Sequence, residues 1–526
     1  MSGEPWDNLN DPTSDDVLWS TDNMGEAAPG VLSPLGWSLW GHIGEIAARE
    51  ALFRAGALTA EERELPADID DRVVRVFCGR MAMDVQFLAT VGNRMPGTSG
   101  EQVAGGIFGR IPEELDYTAT RRRYPAVAAK LPGVAVLAPR QVRQLARETD
   151  AWWSAHTTAA ANWDRGEAVA GLRTGMQWFG RTLTLHTLCL MTCVSPVYDQ
   201  LVKLVERAGA GDVAALSGSG GAEMAVVSDI WSASRGDLTL NQVVGHHGFH
   251  GPAEGEISSR VWREDPSPLA ALIARYADEA ESASPAHIER RRIEGEKAAR
   301  AELLAAVPTW QRPPVTALLD LAAKRIPMRG VGKRSFLQGI DGTRAAARRL
   351  GELLAKAGIL EDPDDAFYLT WRELMLGPSP DAKEIVALRR ARRAEYQQLI
   401  LPGSWKGTPV PIAAATGDVE VVSGIGASAG VVDGRVRVLL TPDFEAVEPD
   451  EILVSPTTDP SWSSVMFISG ALVVDIGSAL SHAAVVAREL GIPCVVSTRS
   501  GTRDLKTGDL VRVDGAAGTV TVLERA

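Results

Sequence analysis

The stretch GSALSHAAVVARELGIP, residues 477–493, decides how the C-terminal part of this chain folds. Ser481 is a favoured N-cap residue, good helix formers follow it up to Leu490, and Gly491 marks a helix C-terminus. His482 therefore occupies the first helical position. It lies beside backbone N–H groups that have no partner within the helix, at the positive end of the helix dipole.

The position of His482 suits a nucleophile. A protonated imidazole is disfavoured at a helix N-terminus, and the neutral ring keeps the lone pair that attack on phosphorus requires. The resulting phosphoramidate would carry about two negative charges at a site that accepts anions. The alternative interpretation is a capping histidine without chemistry, and one helix start seen alone favours that alternative.

The composition changes once along the chain. Residues 1–400 are rich in Ala, Leu, Arg and Glu, with apolar residues three and four positions apart, which predicts a large, mainly α-helical domain. Residues 401–417 are aperiodic and rich in Pro, Gly and Thr, which predicts a linker. Residues 418–526 predict a small α/β domain with one clear helix, SHAAVVAREL. Its predicted strands are DVEVVSG, GRVRVLL, EILVSP, ALVVDI, PCVVST, DLVRVD and TVTVLE.

Bulk composition narrows the functional class. The 526 residues carry a formal net charge of −13, which argues against a nucleic-acid binder because phosphate neutralisation needs clustered Lys and Arg. Four cysteines without a CxxC pair predict reduced thiols rather than a zinc site. The N-terminus lacks the features of a signal peptide, and no 18-residue apolar run suggests a membrane span. We therefore expect a cytoplasmic protein without a membrane or nucleic-acid partner.

The segments around His482 carry a resemblance. TTDPSW and ALVVDIGSALSHAAVVARELGIPCVV, with GIGASAGVVDGRVRVLL before them and LVRVDGAAGTVTVL after them, resemble the phosphohistidine swivelling domain of phosphoenolpyruvate-utilising enzymes. The resemblance implies that His482 is the phosphate carrier. It also implies phosphate binding by Gly477, Ser478, Ser481 and Arg488. The family usually has two adjacent glycines before the histidine, and here they are Gly477 and Ser478.

The helical part carries a second, patchier resemblance. Blocks at residues 19–40, 245–266 and 328–374 resemble the acceptor-substrate domain of rifampicin phosphotransferase, in the same order. The layout is similar to that enzyme without its ATP-grasp domain. This resemblance implies that a separate ATP-grasp protein, carrying ATP and Mg²⁺, supplies the phosphate, and that this chain binds no cofactor itself.

The segment GHHGFHGPAEGE, residues 245–256, is the candidate for acceptor chemistry. Transfer of a phosphoryl group to a hydroxyl needs a base for the proton and cations for the spread charge. We expect the glycines to break any helix here, so that the segment forms an acid–base loop with no metal. A zinc site or a merely structural polar loop is the alternative. The candidate bases are His246, His247, Glu254 and Glu256, and the candidate cations are Arg263, Lys333 and Arg334.

Aromatic residues of the helical part could line an apolar pocket for the acceptor. The candidates are Trp37, Trp40, Phe87 and Phe249. Ordinary packing in the helical core is the competing interpretation, because aromatic stripes on helices are usually buried.

The leading functional hypothesis is phosphoryl transfer through His482 to a hydroxyl of a small organic acceptor in natural-product metabolism. Elimination of the phosphate could follow, which would make the net reaction a dehydration. The alternative is a non-catalytic phosphocarrier or regulatory subunit of a split phosphotransferase. A decayed relative is a minor third hypothesis, and the intact SHAAVVARE block speaks against it.

Overall fold

The computed structural model describes residues 6–21, 24–28, 30–95, 98–108, 115–118, 123–217, 221–277, 280–281, 284–412, 419–440, 442, 446–458, 462–477 and 481–526. The chain is mostly helical (58%), with a small α/β region at the C-terminus. This agrees with the coarse fold class expected from the sequence.

The regular elements are as follows. The described strands are β1 (Leu18–Ser20), β2 (Val74–Phe77), β3 (Arg80–Asp84), β4 (Ser404–Lys406), β5 (Val421–Ser423), β6 (Ile425–Ser428), β7 (Val431–Val438), β8 (Ile452–Ser455), β9 (Ala471–Val474), β10 (Cys494–Val496), β11 (Leu510–Asp514) and β12 (Thr519–Glu524). The described α-helices are α1 (Met24–Ala27), α2 (Pro34–Trp37), α3 (Glu45–Ala55), α4 (Ala60–Arg63), α5 (Val85–Arg94), α6 (Gly100–Phe108), α7 (Tyr124–Ala160), α8 (Arg165–Cys189), α9 (Ser195–Ala208), α10 (Val213–Leu216), α11 (Gly221–Ser234), α12 (Leu240–His247), α13 (Ser267–Tyr276), α14 (Pro285–Ala306), α15 (Arg312–Arg325), α16 (Met328–Lys356), α17 (Trp371–Leu376), α18 (Ala382–Gln397), α19 (Ser463–Ile468), α20 (His482–Leu490) and α21 (Gly501–Asp504). Short π-helical turns occupy Ser38–Gly44 and Leu190–Val194.

The chain divides into two compact units, each built from separate segments. Unit 1 comprises Met1–Thr192, Ala253–Ser259 and Val331–Ala413. Unit 2 comprises Cys193–Pro252, Arg260–Gly330 and Ala414–Ala526. Helices α9 to α15 therefore cluster with the C-terminal α/β region. The domain boundaries at residues 400 and 418 stay a prediction.

Unit 1 contains a small antiparallel sheet that the sequence analysis did not predict. Its strand order is β2-β3-β1-β4, and Trp19 of β1 lies opposite Trp405 of β4. Both tryptophans pack around Phe77 in a buried cluster. The expectation of a linker at residues 401–417 is therefore wrong for residues 404–406, because the apolar Trp405 side chain is 7% exposed and holds this segment in the sheet. Residues 413–417 of that predicted linker lie outside the described residues.

Helices α3, α7 and α8 pack together in unit 1. A continuous helical stretch from Arg165 to Ala208 is long and apolar enough to cross a membrane, by length and composition alone. The sequence analysis expected no such segment. A core helix of a soluble protein meets the same criterion, and 33% of the most apolar 18-residue window of this stretch is buried.

The C-terminal sheet of unit 2 has the strand order β5-β12-β11-β7-β8-β9-β10-β6. Strands β7, β8, β9 and β10 run parallel to one another, and antiparallel pairing adds β6 on one side and β11, β12 and β5 on the other. All seven predicted strands are confirmed. Strand β6 and the short helices α19 and α21 are additional to the prediction.

Both faces of this sheet are covered, as expected for its parallel centre. Successive side chains of a strand point to opposite faces. Leu453 of β8 therefore joins the apolar cluster that contains α20, and Val454 joins the cluster formed with β11 and α21. Helix α20 connects the parallel strands β9 and β10, and its Ala483, Ala484 and Ala487 are fully buried. Such small residues let the helix lie close to the sheet.

The helices of unit 2 pack against one another and against the helix that follows β9. Helix α11 packs against α12, α13 and α14, and α9 packs against α15. Helix α14 also packs against α20, the helix that begins at His482.

Candidate functional site

The carboxyl ends of β8, β9 and β10 meet at one edge of the C-terminal sheet. Thr458 follows β8, Asp475 follows β9, and Thr498 follows β10. His482 lies on the connection from β9 to β10, at the start of α20. Parallel sheets bind their ligands at this edge, because the loops that leave the strands converge there.

The predicted helix around His482 is confirmed. Helix α20 begins at His482, and the Ser481 side chain accepts a hydrogen bond from the backbone N–H of Ala484 at 3.4 Å. The helix ends at Gly491, which adopts the left-handed conformation with φ of 71°. Gly477 is tightly packed, since a Cβ atom there would lie 3.1 Å from the Ser481 hydroxyl oxygen.

The His482 side chain is buried, with the residue 3% exposed. Its Nδ1 lies 3.4 Å from the hydroxyl oxygen of Thr458, at the long end of hydrogen-bond distances. A hydroxyl can either donate to Nδ1 or accept from it, so this contact is compatible with the tautomer that carries its lone pair on Nε2 and with the opposite one. Thr458 comes from a different strand end, so sequence spacing alone did not reveal it.

Asp475 organises the same strand edge. Its Oδ1 accepts hydrogen bonds from the Thr498 hydroxyl at 2.7 Å and from the Gly501 N–H at 2.5 Å, and its Oδ2 accepts from the N–H and the hydroxyl of Thr502. Burial raises the pKa of this carboxyl, and these hydrogen bonds oppose the rise. Asp475 therefore ties the end of β9 to the start of α21.

Of the expected phosphate-binding residues, Arg488 lies apart from His482. Arg488 lies in the last turn of α20, about 9 Å along the helix axis from His482. Its Nε donates to the carbonyl oxygen of Ala427 at 2.7 Å, and its guanidinium also hydrogen bonds to the Tyr198 hydroxyl. These contacts explain why Arg488 is held away from the N-terminal end of the helix. Ser478 lies outside the described residues.

The predicted histidine loop begins as a helix. The expectation that glycines break the helix is wrong at Gly245, because α12 runs through it to His247. The Thr239 capping box at the other end stabilises this short helix. His246 Nδ1 lies 2.8 Å, and His247 Nε2 lies 3.0 Å, from the same Oδ2 atom of Asp229 on α11. We call Asp229, His246 and His247 the histidine–aspartate cluster.

The two predicted glutamates have other contacts, within unit 1. Glu254 forms an ion pair with Lys333 at 3.3 Å. Glu256 is buried and accepts the N–H of Ser33 at 3.1 Å, next to the first turn of α2. Arg344 is fully buried and donates to the carbonyl oxygens of residues 254, 256 and 257. These three hydrogen bonds fix the backbone of the segment that carries both glutamates.

The remaining predicted cations and aromatic residues take part mainly in packing and ion pairs. Arg334 pairs with Asp150 at 2.9 Å, and the Arg263 guanidinium lies 3.9 Å from Glu264. Trp40 is 5% exposed and packs edge-on against Phe179 and Phe336. Phe249 is fully buried beside His250, and the Arg49 guanidinium lies over the ring of Phe87. Trp37 packs against the buried apolar cluster that contains Leu9.

Unit 1 contains a cavity of about 1020 Å³. None of the four predicted aromatic residues is among the described residues that line it. Its wall combines aliphatic residues such as Ile43 and Met176 with polar residues such as Gln177 and Arg173, and Trp371 closes one part. The residues that line this cavity come from α3, α7, α8 and α17, among other segments. Local sequence patterns therefore could not reveal it.

The comparisons with known proteins agree with the two resemblances. Residues 447–518 match the family described as PEP-utilising enzyme, mobile domain. Residues 240–330 match the family described as rifampicin phosphotransferase fourth domain. The resemblance expected from the sequence is therefore confirmed for these segments. His482 lies in the first, and His246, His247 and Arg263 lie in the second.

Several relatives extend beyond these segments. An uncharacterized protein of Mycobacterium tuberculosis is 35% identical over 306 residues, which are 56% of this chain and 32% of that protein. An uncharacterized phosphotransferase of Bacillus subtilis is 35% identical over 195 residues, 34% of this chain and 23% of that protein. Rifampicin phosphotransferase of Streptomyces sviceus is 29% identical over 298 residues, 53% of this chain and 33% of that enzyme. The chain thus spans about a third or less of the length of these relatives.

Proposed function

We propose that this chain transfers a phosphoryl group, through a phosphohistidine at His482, to a hydroxyl of a small organic acceptor. The observation that carries the proposal is the position of His482. It is the first residue of a capped helix at the carboxyl edge of a parallel sheet, within the segment that matches a PEP-utilising mobile domain. Relatives named as phosphotransferases support the same reaction class.

The first half-reaction would form a bond between Nε2 of His482 and phosphorus while the bond from phosphorus to the donor oxygen breaks. Attack requires the tautomer with its proton on Nδ1 and its lone pair on Nε2, and the Thr458 hydroxyl, 3.4 Å from Nδ1, would accept that proton in a hydrogen bond. The N–H groups of the first turn of α20 would face the new negative charge. Ser481, which caps this turn, would keep those groups aligned.

In the second half-reaction the acceptor hydroxyl oxygen would bond to phosphorus, and Nε2 of His482 would leave. The hydroxyl proton must pass to a base. The histidine–aspartate cluster is the candidate site for this proton, because Asp229 holds both imidazoles by their ring nitrogens.

We further propose that the donor is a separate ATP-grasp protein, which would supply ATP and Mg²⁺. Elimination of phosphate from the product ester would turn the net reaction into a dehydration. The mass of the product distinguishes these outcomes, because phosphorylation adds a phosphate and dehydration removes water.

The test of the carrier begins with peptide mapping. The full chain is incubated with ATP, with and without an extract of its native host, and digested under alkaline conditions that preserve phosphohistidine. We expect phosphorylation at His482 with the extract, none in His482→Ala, and unchanged labelling in the control His287→Ala. A label on another residue, or no label at all, contradicts the carrier. Full labelling with ATP alone contradicts the separate donor.

The non-catalytic alternative predicts a different result for the second half-reaction. His246→Ala with His247→Ala would leave acceptor turnover by the reconstituted extract unchanged if the chain were only a carrier. We expect turnover to be lost while labelling of His482 persists, because the first half-reaction does not involve the cluster.

A further inference from the structure

The histidine–aspartate cluster has the donor set of a metal site. Two imidazole nitrogens and one carboxylate oxygen are ligands that Zn²⁺ and related divalent transition ions prefer. Among the described residues, this is the one group in which three such ligand atoms from His, Cys, Asp or Glu lie within 4.8 Å of one another. From the sequence we expected acid–base chemistry for the two histidines, because nothing in the sequence showed that Asp229 lies beside them.

The two histidines reach one point although they are adjacent in sequence. Consecutive residues of a helix point about 100° apart, so identical ring atoms would diverge. Here His246 presents Nδ1, close to its backbone, and His247 presents Nε2, at the far side of its ring. Asp229 meets both from the neighbouring helix α11. The convergence therefore depends on a specific packing of α11 against α12.

The distances from the two imidazole nitrogens to Asp229 Oδ2 are slightly shorter than the distances between ligands of a bound metal ion. The nitrogens lie 2.8 and 3.0 Å from Asp229 Oδ2. Ligands in tetrahedral positions around Zn²⁺ lie about 3.3 Å apart, given metal–ligand bonds of about 2.0–2.1 Å. The two nitrogen–oxygen distances therefore need to grow by only a few tenths of an ångström, and the two nitrogens already lie within 4.8 Å of each other. The His246 side chain, which is 55% exposed, can move by that amount without disturbing a core.

The surroundings favour a cation with one open coordination position. Both histidines lie in the last turn of α12, where the carbonyl end of the helix dipole attracts positive charge. The His247 side chain is 4% exposed and Asp229 is 28% exposed, so one side of the site is walled and the His246 side faces solvent. A walled site with an open position is typical of metal ions that bind a water or a substrate.

We propose that Asp229, His246 and His247 bind one divalent transition-metal ion of the Zn²⁺ class. A hydroxide bound to this ion would then accept the proton of the acceptor hydroxyl and become water, in place of an imidazole. That consequence rests on the proposed function, whereas metal binding itself does not. Binding can be measured without a phosphate donor or an acceptor.

The experiment uses the full chain, stripped with a chelator and dialysed, then titrated with Zn²⁺ against a chromogenic chelator. The visible absorption of bound Co²⁺ reports on the ligands. The test variants are His246→Ala and Asp229→Asn. The matched controls are His287→Ala and Asp237→Asn, which change the same residue types outside the cluster. Far-UV circular dichroism in the metal-free state confirms that each variant folds.

We expect one equivalent of Zn²⁺ in the unaltered chain and in both controls. Each test variant should bind at least tenfold more weakly and should change the Co²⁺ spectrum. The inference is overturned if the unaltered chain binds no stoichiometric ion. It is also overturned if His246→Ala and Asp229→Asn bind as tightly as the controls, because the ion would then sit elsewhere. Loss of His482 labelling would contradict the proposed function and leave this result untouched.

Discussion

Asp475 should be the residue on which the geometry of the carrier edge depends most. Its carboxylate receives hydrogen bonds from Thr498, Gly501 and Thr502, and thereby joins β9 to the loop after β10 and to α21. We therefore expect Asp475→Ala to destabilise the C-terminal α/β region strongly, and Asp475→Asn to destabilise it mildly.

The magnitude follows from the donors that each change leaves without an acceptor. Asp475→Ala strands the N–H groups of Gly501 and Thr502, which cannot turn to another partner, and each such buried group costs about 1–3 kcal/mol. The two threonine hydroxyls can rotate and add less. Relief of a desolvated charge offsets part of the loss, which leaves about 4 kcal/mol. Asp475→Asn keeps an acceptor for Gly501 and should cost about 1–2 kcal/mol.

Hydrogen exchange measured by mass spectrometry on the peptide spanning β10 and α21 gives the opening free energy of this segment. The control is Asp433→Ala, which removes an exposed ion pair with Arg512 at 2.7 Å and should leave the opening free energy nearly unchanged, because solvent screens such pairs. The expected role of Asp475 is refuted if the opening free energy of Asp475→Ala stays within about 1 kcal/mol of that of the unaltered chain. It is also refuted if Asp475→Asn lowers this free energy as much as Asp475→Ala. Labelling of His482 should fall in the same order, with Ala below Asn.

Two further outcomes follow from the structure. Ser481→Ala removes the N-cap of α20 and should lower the stability of the C-terminal region by about 1 kcal/mol in urea denaturation, whereas no loss would mean that the cap contributes nothing. Burial raises the pKa of Asp11 from 3.8 to about 6, so the folded chain retains a proton that the unfolded chain releases. The free energy of unfolding should therefore fall by up to about 3 kcal/mol as the pH rises from about 4 to about 6, and Asp11→Asn should abolish this slope in parallel denaturation curves.

The C-terminal region was predictable because its signals are local. Each strand is a short β-branched run bounded by Gly, Pro or Asp, and Ser481 and Gly491 delimit α20 by capping rules that act within a few residues. Strand β6 escaped prediction because its sequence, IGAS, has neither a β-branched run nor an apolar alternation. Its pairing with β10 supplies what the local sequence lacks.

The contacts of the candidate site were less predictable because they join distant segments. Asp229 precedes His246 by 17 residues, and nothing in its own helix marks it as a partner. Thr458 reaches His482 across 24 residues. Residues that are close in sequence also turned out to belong to different contacts. Glu256 lies close to the histidines along the chain, yet its described contacts hold α2 through Ser33, 223 residues away.

The burial of His482 bears on how a carrier could work. An imidazole that is 3% exposed cannot reach a donor and an acceptor in turn, so transfer requires movement of α20 and its sheet. The elements of unit 2 that restrain α20 are α14, which packs against it, and Tyr198 of α9, which accepts from Arg488. A hydrogen bond of this kind contributes about 1–3 kcal/mol, small enough to open and close repeatedly during turnover. Arg488 thus gains a role that its sequence position did not suggest. Under the proposed function, Arg488 would hold α20 in its buried position, and the phosphoryl chemistry would take place at His482, at the other end of the helix.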